Sequence, residues 1–370
     1  MIYLDDAATT ALSPAAIQAM TKTMTVFGNP SSTHSHGREA SKLLRQARED
    51  IAQALHTQSN KILFTSGGTE SNNTAIKGYA LHHQNRGKHI VTTAIEHHAV
   101  LEVVEYLVDK FGFEATFVQP VDGQILVEDI EKALRPDTIL VSVMAVNNET
   151  GAILPIKEIG ELLQEHPAAF HVDAVQAIGK LPIYPDELRI DFLSASAHKF
   201  HGPKGVGFLY AKKMDFDNFM HGGDQEEKHR AGTENLISIT GMAAALSDST
   251  EHLEENLAHA QDLKDSLLAD LSDIEHYLNE SQPSLPYVIN LGFPNQKNDL
   301  LLLQMDLNGF SISTGSACTA GAIQPSHVLQ AMYGKDSNRL YESIRISTSD
   351  QTTLQEIQSF TKKLKEILGG

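Results

Sequence analysis

TILVSVMAVNN, residues 138–148, runs apolar from Ile139 to Val146 with Ser142 as the one interruption, and ends in two asparagines. A strand with one wet face alternates apolar and polar residues; this stretch is apolar at consecutive positions and rich in β-branched side chains. It therefore predicts a strand covered on both faces, the pattern of a parallel sheet between helical layers. The same texture recurs in KILFTSGG (61–68), KHIVTTAIEH (88–97), EATFVQP (114–120), AAFHVDAVQ (168–176), DFLSASAHK (191–199) and GVGFLYAKK (205–213). Amphipathic stretches of helical length lie between several of them, such as AVLEVVEYLVDKFG (99–112), VEDIEKALR (127–135) and PIKEIGELLQEH (155–166). The expected fold class is α/β: a mainly parallel sheet of the seven-stranded type, helices on both faces, ligands at the carboxyl ends of the strands.

From about Asn235 the texture changes. LISITGMAAALSDSTEHLEENLAHAQDLKDSLLADLSD (236–273) predicts long helix, and PYVINLGF (286–293), NDLLLLQMDLNG (298–309) and SIRIS (343–347) predict a smaller α+β unit. The expected division is a large ligand-binding domain over 12–250 and a small domain over 251–370 that takes in residues 1–11.

Of the 370 residues, 47 are acidic and 29 basic, a net charge of −18 that disfavours unspecific binding to nucleic acid phosphates. The opening MIYLDDAATT lacks a basic segment followed by an apolar core, and the apolar run at 299–307 is too short to span a bilayer, so a cytoplasmic, membrane-free protein is expected. A single cysteine, Cys318, excludes an internal disulfide and a cysteine-based metal cluster. No metal ligand set is expected.

Polar chemistry gathers at the strand ends. Gly67, Gly68 and Thr69 stand between a strand and a helix, where exposed amides can hold a phosphate, although such turns are common without any ligand. Asp173 ends a strand with Gln176 three residues on; its carboxylate can cap a helix or hold a protonated ring nitrogen. His97 and His98 offer an imidazole to stack on a planar ligand or carry a proton, and Asn147 and Asn148 close another strand. SASAHKFHGPKGVG (194–207) adds Ser196, His198, Lys199 and His201. A phosphate cradle, a carboxylate, a stacking histidine and a strand-end lysine together describe a site for pyridoxal 5'-phosphate, with Lys199 forming the Schiff base and Asp173 keeping the ring nitrogen protonated.

Seven motifs in this order resemble the cysteine desulfurases of the NifS/IscS kind, fold-type I pyridoxal phosphate enzymes of aminotransferase class V. They are FGNPSSTHSHGR (27–38), SGGTESNN (66–73), VNNETG (146–151), HVDAVQ (171–176), SAHKFHGPKG (196–205), AGTENL (231–236) and TGSACTAG (314–321). The resemblance spans roughly nine-tenths of the chain, from YLDDAATT at residue 3 to SIRIS. It implies that Lys199 carries the cofactor, Asp173 holds the ring nitrogen, Gln176 bonds the ring oxygen and His97 stacks on the ring. Gly68, Thr69, Ser196 and His198 are implied to hold the phosphate, with Thr233 reaching it from the second subunit of a homodimer. A helix N-cap is the structural alternative for Thr233.

Asn148 and Arg345 are implied to bind the α-carboxylate of L-cysteine, and Arg suits that task because its planar fork meets both oxygens. The same resemblance makes Cys318 the nucleophile that takes the substrate sulfur as a persulfide, leaving L-alanine. The small residues around Cys318, and the 26 residues between it and Arg345, match the long-loop members that pass sulfur to an acceptor protein, in iron–sulfur assembly or tRNA thiolation. Selenocysteine lyases and aminotransferases of class V are the nearest alternatives, and a non-catalytic sulfur-relay scaffold is a more distant one; intact Lys199, Asp173 and Cys318 argue against the scaffold. Two departures from the family pattern stand out. Asp6 sits where His, Tyr or Asn is usual, and Asp224, Glu226 and Glu227 precede Thr233, where an altered subunit contact or entrance charge is expected.

Overall fold

The computed structural model describes residues 1–315 and 324–369 in full, and residues 318–319 and 322–323 by their backbone. In chain order the strands are β1 (Ile2–Tyr3), β2 (Ile62–Thr65), β3 (His89–Thr93), β4 (Glu114–Val118), β5 (Thr138–Met144), β6 (Ala169–Asp173), β7 (Phe192–Ser196) and β8 (Gly207–Ala211). There follow β9 (Tyr277–Leu278), β10 (Val288–Gly292), β11 (Phe310–Ser311), β12 (Cys318–Thr319), β13 (Ala322–Ile323) and β14 (Ser343–Ser347).

Seven of these form the large sheet in the order β2-β8-β7-β6-β5-β3-β4. Every residue of β2, β3 and β5–β8 is buried, as their continuous apolar runs predict, and only the edge strand β4 is partly open. The neighbours from β7 through to β4 pair in parallel, whereas β8 runs antiparallel to both β7 and β2. The reversal follows from chain length. Ten residues, 197–206, join β7 to β8, and a parallel crossover needs a dozen or more. The covering helices bury one stripe each: in Ser35–Ala54 it is Ala40, Leu44, Ala47 and Ile51, spaced at helical period.

The long helix expected over 236–273 is two, Leu236–Glu251 and Leu253–Asp270, broken at His252. The two serve different cores. Met242, Ala245 and Leu246 pack with the large sheet, and Leu263 and Leu267 pack with Ile289, Ile346 and Phe360. That second core lies under an antiparallel sheet ordered β14-β10-β9. The N-terminus joins it: β1 pairs in parallel with β11, and Leu4 is buried among the same residues.

Candidate active site

The carboxyl ends of β2, β3, β5, β6 and β7 open into one cavity of about 660 Å³. Eleven residues singled out from the sequence line it: Gly67, Gly68, Thr69, His97, Asn148, Asp173, Gln176, Ser196, His198, Lys199 and Arg345.

One end is built from backbone. β2 runs out at Thr65, and Gly67 turns at φ +147°, a conformation that side-chain-bearing residues rarely adopt. Gly68 then opens the helix Gly68–Asn73. A Cβ on Gly68 would stand 2.6 Å from Val175 Cγ2, and one on Gly207 would stand 2.7 Å from Gly67 Cα. The glycines therefore let the turn lie against β8, with Gly67, Gly68 and Thr69 lining the cavity. His198 contributes a ring whose Nδ1 lies 3.2 Å from Thr9 Oγ1. Burial, reinforced by the charge of Lys199, pushes His198 down to about 4, so it is a neutral hydrogen-bonding group at physiological pH.

The middle of the cavity is anchored by Asp173 at the end of β6. Its Oδ2 accepts from Asn72 Nδ2 at 2.7 Å and its Oδ1 from the Val175 amide at 3.0 Å, which fixes the plane of the carboxylate. His97 caps the helix His98–Phe111 by accepting the Ala99 amide at Nδ1, 3.1 Å. The proton of the neutral ring is thereby placed on Nε2. Desolvation by the surrounding protein lowers the His97 imidazole, against a smaller upward pull from Asp173.

Lys199 ends the single helical turn Ala197–Lys199 after β7. Its ammonium donates to the carbonyls of Ala7 at 2.6 Å and Ala8 at 2.8 Å. Burial, with Lys180 and Arg345 nearby, pushes the amine down to about 7, while Asp5 and Asp173 pull it the other way. An amine in this range can exist unprotonated at neutral pH, as a nucleophile or base requires. Gln176, expected to face a ring oxygen, is buried; its Nε2 donates to Ala7 O at 2.9 Å and its Oε1 accepts from Lys180 Nζ at 3.3 Å. Gln176 and Lys199 thus share one acceptor.

Arg345 on β14, 5 % exposed, also lines the cavity. Its Nη2 donates to Asp5 Oδ1 at 2.7 Å and its Nη1 to the Asn148 carbonyl at 2.9 Å, while its buried Nε has no partner. Ser313 is bridged to Arg345 through the backbone, and Ser313 and Gly315 line the cavity. Ser313 is thereby held in register with the arginine. Cys318 itself lies in β12, paired with β13; its side chain lies outside the described residues.

Thr233 is exposed and outside the cavity. It does not cap the following helix: Asn235 does, its side chain accepting the Ser238 amide at 3.3 Å. Arg230, three residues earlier, is clamped by Glu70 on the helix behind the glycine turn, at 2.9 and 3.3 Å. Of the acidic departures, Glu226 is no entrance charge. It is buried, accepts from Nη1 and Nη2 of Arg48 and accepts the Phe64 amide at 2.9 Å. Asp6 is buried too, its carboxyl lifted to about 7 by burial, with His201 and Lys180 opposing. Asn147, unlike its neighbour Asn148, turns inward to hold its own loop, accepting the amides of Glu149 and Thr150 at 2.9 and 3.0 Å.

Sequence reasoning missed the Ala7 and Ala8 carbonyls, Asp5 and Glu96. Glu96 is fully buried behind His97, its carboxyl pushed up to about 8 by burial, with Oε2 unpartnered. Glu96 could have been noticed as an acidic residue inside an otherwise apolar strand end; the carbonyls carry no residue-type signal. The donor set suits a planar ligand with a phosphate at one end and a carboxylate at the other. The glycine turn could hold a phosphate, the fixed Asp173 carboxylate a protonated ring nitrogen, and the unpartnered Arg345 Nε an added anion.

A family model described as aminotransferase class V matches residues 2–360. The cysteine desulfurase IscS of Dictyoglomus turgidum (strain DSM 6724 / Z-1310) is 44% identical over 376 residues, 99% of this chain and 94% of that protein. The cysteine desulfurase IscS of Methanosarcina thermophila is 42% identical over 373 residues, 99% of this chain and 92% of that one. Among solved structures, a NifS-like protein superposes with a TM-score of 0.93 at 37% identity, covering 100% of this chain and 99% of its own.

Proposed function

The chain belongs to the aminotransferase class V family and is a cysteine desulfurase, and we propose that the cavity around Lys199 is where L-cysteine is opened and its sulfur moved to Cys318. The observation that carries this reading is the placement of Lys199. A lysine amine pushed down to about 7 stands in one cavity with the Asp173 carboxylate, the glycine turn and the Arg345 guanidinium.

Enzymes of this family use pyridoxal phosphate, and the residues present fit it. Gly68, Thr69, Ser196 and His198 would hold the phosphate, with Thr233 of a second copy of the chain; Asp173 the ring nitrogen; His97 and Asn148 the ring faces and rim; Gln176 the ring oxygen; Lys199 the covalent bond. When bound, the cofactor supplies an electron sink for the pair left at the substrate α-carbon.

The chain's own residues do the rest. Arg345 and Asn148 take the substrate carboxylate and orient the α-carbon toward Lys199. The Lys199 amine, once freed by the substrate, removes the α-proton and is the group placed to return it. His97, neutral with its proton on Nε2, offers that N–H to cofactor or substrate as a hydrogen-bond donor. The Cys318 thiolate attacks the substrate sulfur; the new S–S bond forms as the carbon–sulfur bond breaks, and the electron pair stays with the β-carbon. That carbon is protonated and L-alanine leaves, with Cys318 as persulfide.

The same proposal divides the chain into a cofactor-holding unit over 12–250 and a small unit over 251–370 with 1–11, supported by the packing of Leu4 with Leu263 and Ile346. It also makes the enzyme a cytoplasmic homodimer that delivers sulfur to an acceptor protein. Among the described residues no helix is long and apolar enough to cross a membrane. The test is turnover with L-cysteine as sole substrate. Alanine should form without any keto acid, matched one-to-one by sulfur released to a thiol reductant. Alanine that appears only when a keto acid is supplied would mark an aminotransferase and overturn the proposal.

A further inference from the structure

At the end of the sheet opposite the active cavity, His82 and His83 close the short helix Tyr79–His83 and face Asp215, four residues beyond β8. One imidazole nitrogen from each histidine and one carboxylate oxygen of Asp215 lie within 4.8 Å of one another. His82 Nε2 is 3.2 Å from Asp215 Oδ1, and His83 Nε2 is 3.4 Å from Asp215 Oδ2. A tetrahedral Zn²⁺ with bonds of about 2.0–2.1 Å has ligand-to-ligand edges of roughly 3.3 Å. Each histidine nitrogen already stands at about that distance from a carboxylate oxygen, and the three ligand atoms lie within 4.8 Å of one another, near enough to share one ion.

The outer contacts agree. His82 Nδ1 lies 2.8 Å from Asp217 Oδ1. A neutral imidazole has one N–H and both His82 nitrogens face a carboxylate; with the proton on Nδ1, toward the nearer Asp217, the Nε2 lone pair points at Asp215. A lone pair facing a carboxylate at this distance needs a positive charge between them, either a second proton on His82 or a metal ion. A carboxylate on the far nitrogen of a ligating histidine is the usual outer-shell arrangement of metal sites, because it fixes the tautomer and the ring. His83, its side chain 4 % exposed, is held by packing against Tyr79, with ring centroids 4.2 Å apart. Its Nε2 also lies 3.2 Å from the Asp215 carbonyl oxygen, a contact the ion would replace. One ligand is therefore rigid, and the other two are open enough to admit an ion. Arg86 lies near His83 and opposes a cation, but the carboxylates of Asp215 and Asp217 face the site from the other side.

We propose that His82, His83 and Asp215 bind a divalent transition-metal ion, Zn²⁺ foremost, with Asp217 orienting His82 and water completing the shell. Imidazole with carboxylate suits Zn²⁺ and its neighbours in the series and not Mg²⁺ or Ca²⁺. The bound ion would fasten the segment after β8 to the helix, where the Asp217 amide already donates to the Gly78 carbonyl at 3.1 Å. That segment leads on to Glu226, Arg230 and Thr233, so the ion would steady the approach to the active cavity from behind.

The test is calorimetric titration of metal-free, cofactor-loaded enzyme with Zn²⁺, in the wild type and in Cys318→Ala, which removes the thiolate as a competing ligand. One Zn²⁺ per chain should bind in both. His82→Ala and Asp215→Asn should abolish that event, and Asp217→Asn should weaken it by about ten- to hundredfold. Titration of Cys318→Ala with Co²⁺ should give a visible tetrahedral spectrum, and His82→Ala in that background should remove it. His82 is at the surface, so its alanine variant should fold and turn over L-cysteine without metal as the wild type does. The proposal fails if the wild type takes up no Zn²⁺, if uptake vanishes with Cys318, or if His82→Ala and Asp215→Asn bind as the wild type does.

Discussion

Replacing Arg345 by lysine keeps the charge and removes the fork. In the structure the guanidinium spends Nη2 on Asp5 at 2.7 Å and Nη1 on the Asn148 carbonyl at 2.9 Å, and its Nε is buried and unpartnered. A substrate carboxylate arriving here can be met by two parallel donors, whereas a lysine ammonium meets it as a single point charge. The difference is about one charge-assisted hydrogen bond, worth ~1.5–3 kcal/mol. At about 1.4 kcal/mol per decade, Arg345→Lys should lower kcat/KM for L-cysteine by roughly ten- to a hundredfold. The carboxylate is unchanged during the reaction, so the loss should fall mainly on KM. Steady-state alanine release over a range of cysteine concentrations measures it. Cofactor affinity, measured by titration of the apoenzyme with pyridoxal phosphate, should hold, because Arg345 contacts Asp5 and the Asn148 carbonyl and not the glycine turn. An unchanged KM, or a loss confined to cofactor affinity, would refute the assignment of Arg345 to the substrate carboxylate.

Three further outcomes are expected. Lys199→Ala should yield no borohydride-reducible bond between chain and cofactor and no turnover; a reducible adduct on another lysine would displace Lys199 from its role. Thr233→Ala should weaken pyridoxal phosphate binding by about ten- to a hundredfold, from the loss of one charge-assisted hydrogen bond. Its melting temperature should hold, since Asn235 is the cap, and Asn235→Ala should instead cost about 1 kcal/mol of stability; the reverse pattern would return Thr233 to a structural role. Asp6 gives a pH-dependent test. Burial lifts its carboxyl from 3.8 to about 7, so between those values the folded chain holds a proton that the unfolded chain has released. Stability therefore falls as pH rises through that window. Thermal melts should show Asp6→Asn close to wild type near pH 4 and more stable than wild type above pH 7; no gain at the higher pH would show that the carboxyl is not held as described.

Much of the site was legible because its parts are local. SGGTESNN, HVDAVQ and SAHK each place a strand end, a turn and a chemical group within a few residues, and the folded chain brings these motifs to one cavity. What escaped was non-local or lay in the backbone. Arg345 meets Asp5 across 340 positions of sequence, and Lys199 meets a carbonyl of Ala7, a residue whose side chain announces nothing. Glu226 looked like surface charge because its partner, Arg48, lies 178 positions away. The direction of β8, by contrast, was decidable from the ten-residue link alone. The break at His252 was not, because both halves are good helix and the break is imposed by the two cores they serve.

The central claim is that sulfur leaves L-cysteine for Cys318, and mass measurement of the peptide that contains this residue tests it most directly. After one turnover with L-cysteine and no reductant, the wild-type peptide should carry one added sulfur atom, matched by one equivalent of alanine. The Cys318→Ser peptide should carry none, and its alanine release should collapse while cofactor stays bound. Alanine made at the wild-type rate by the serine variant, or sulfur found on no residue of the chain, would contradict the account.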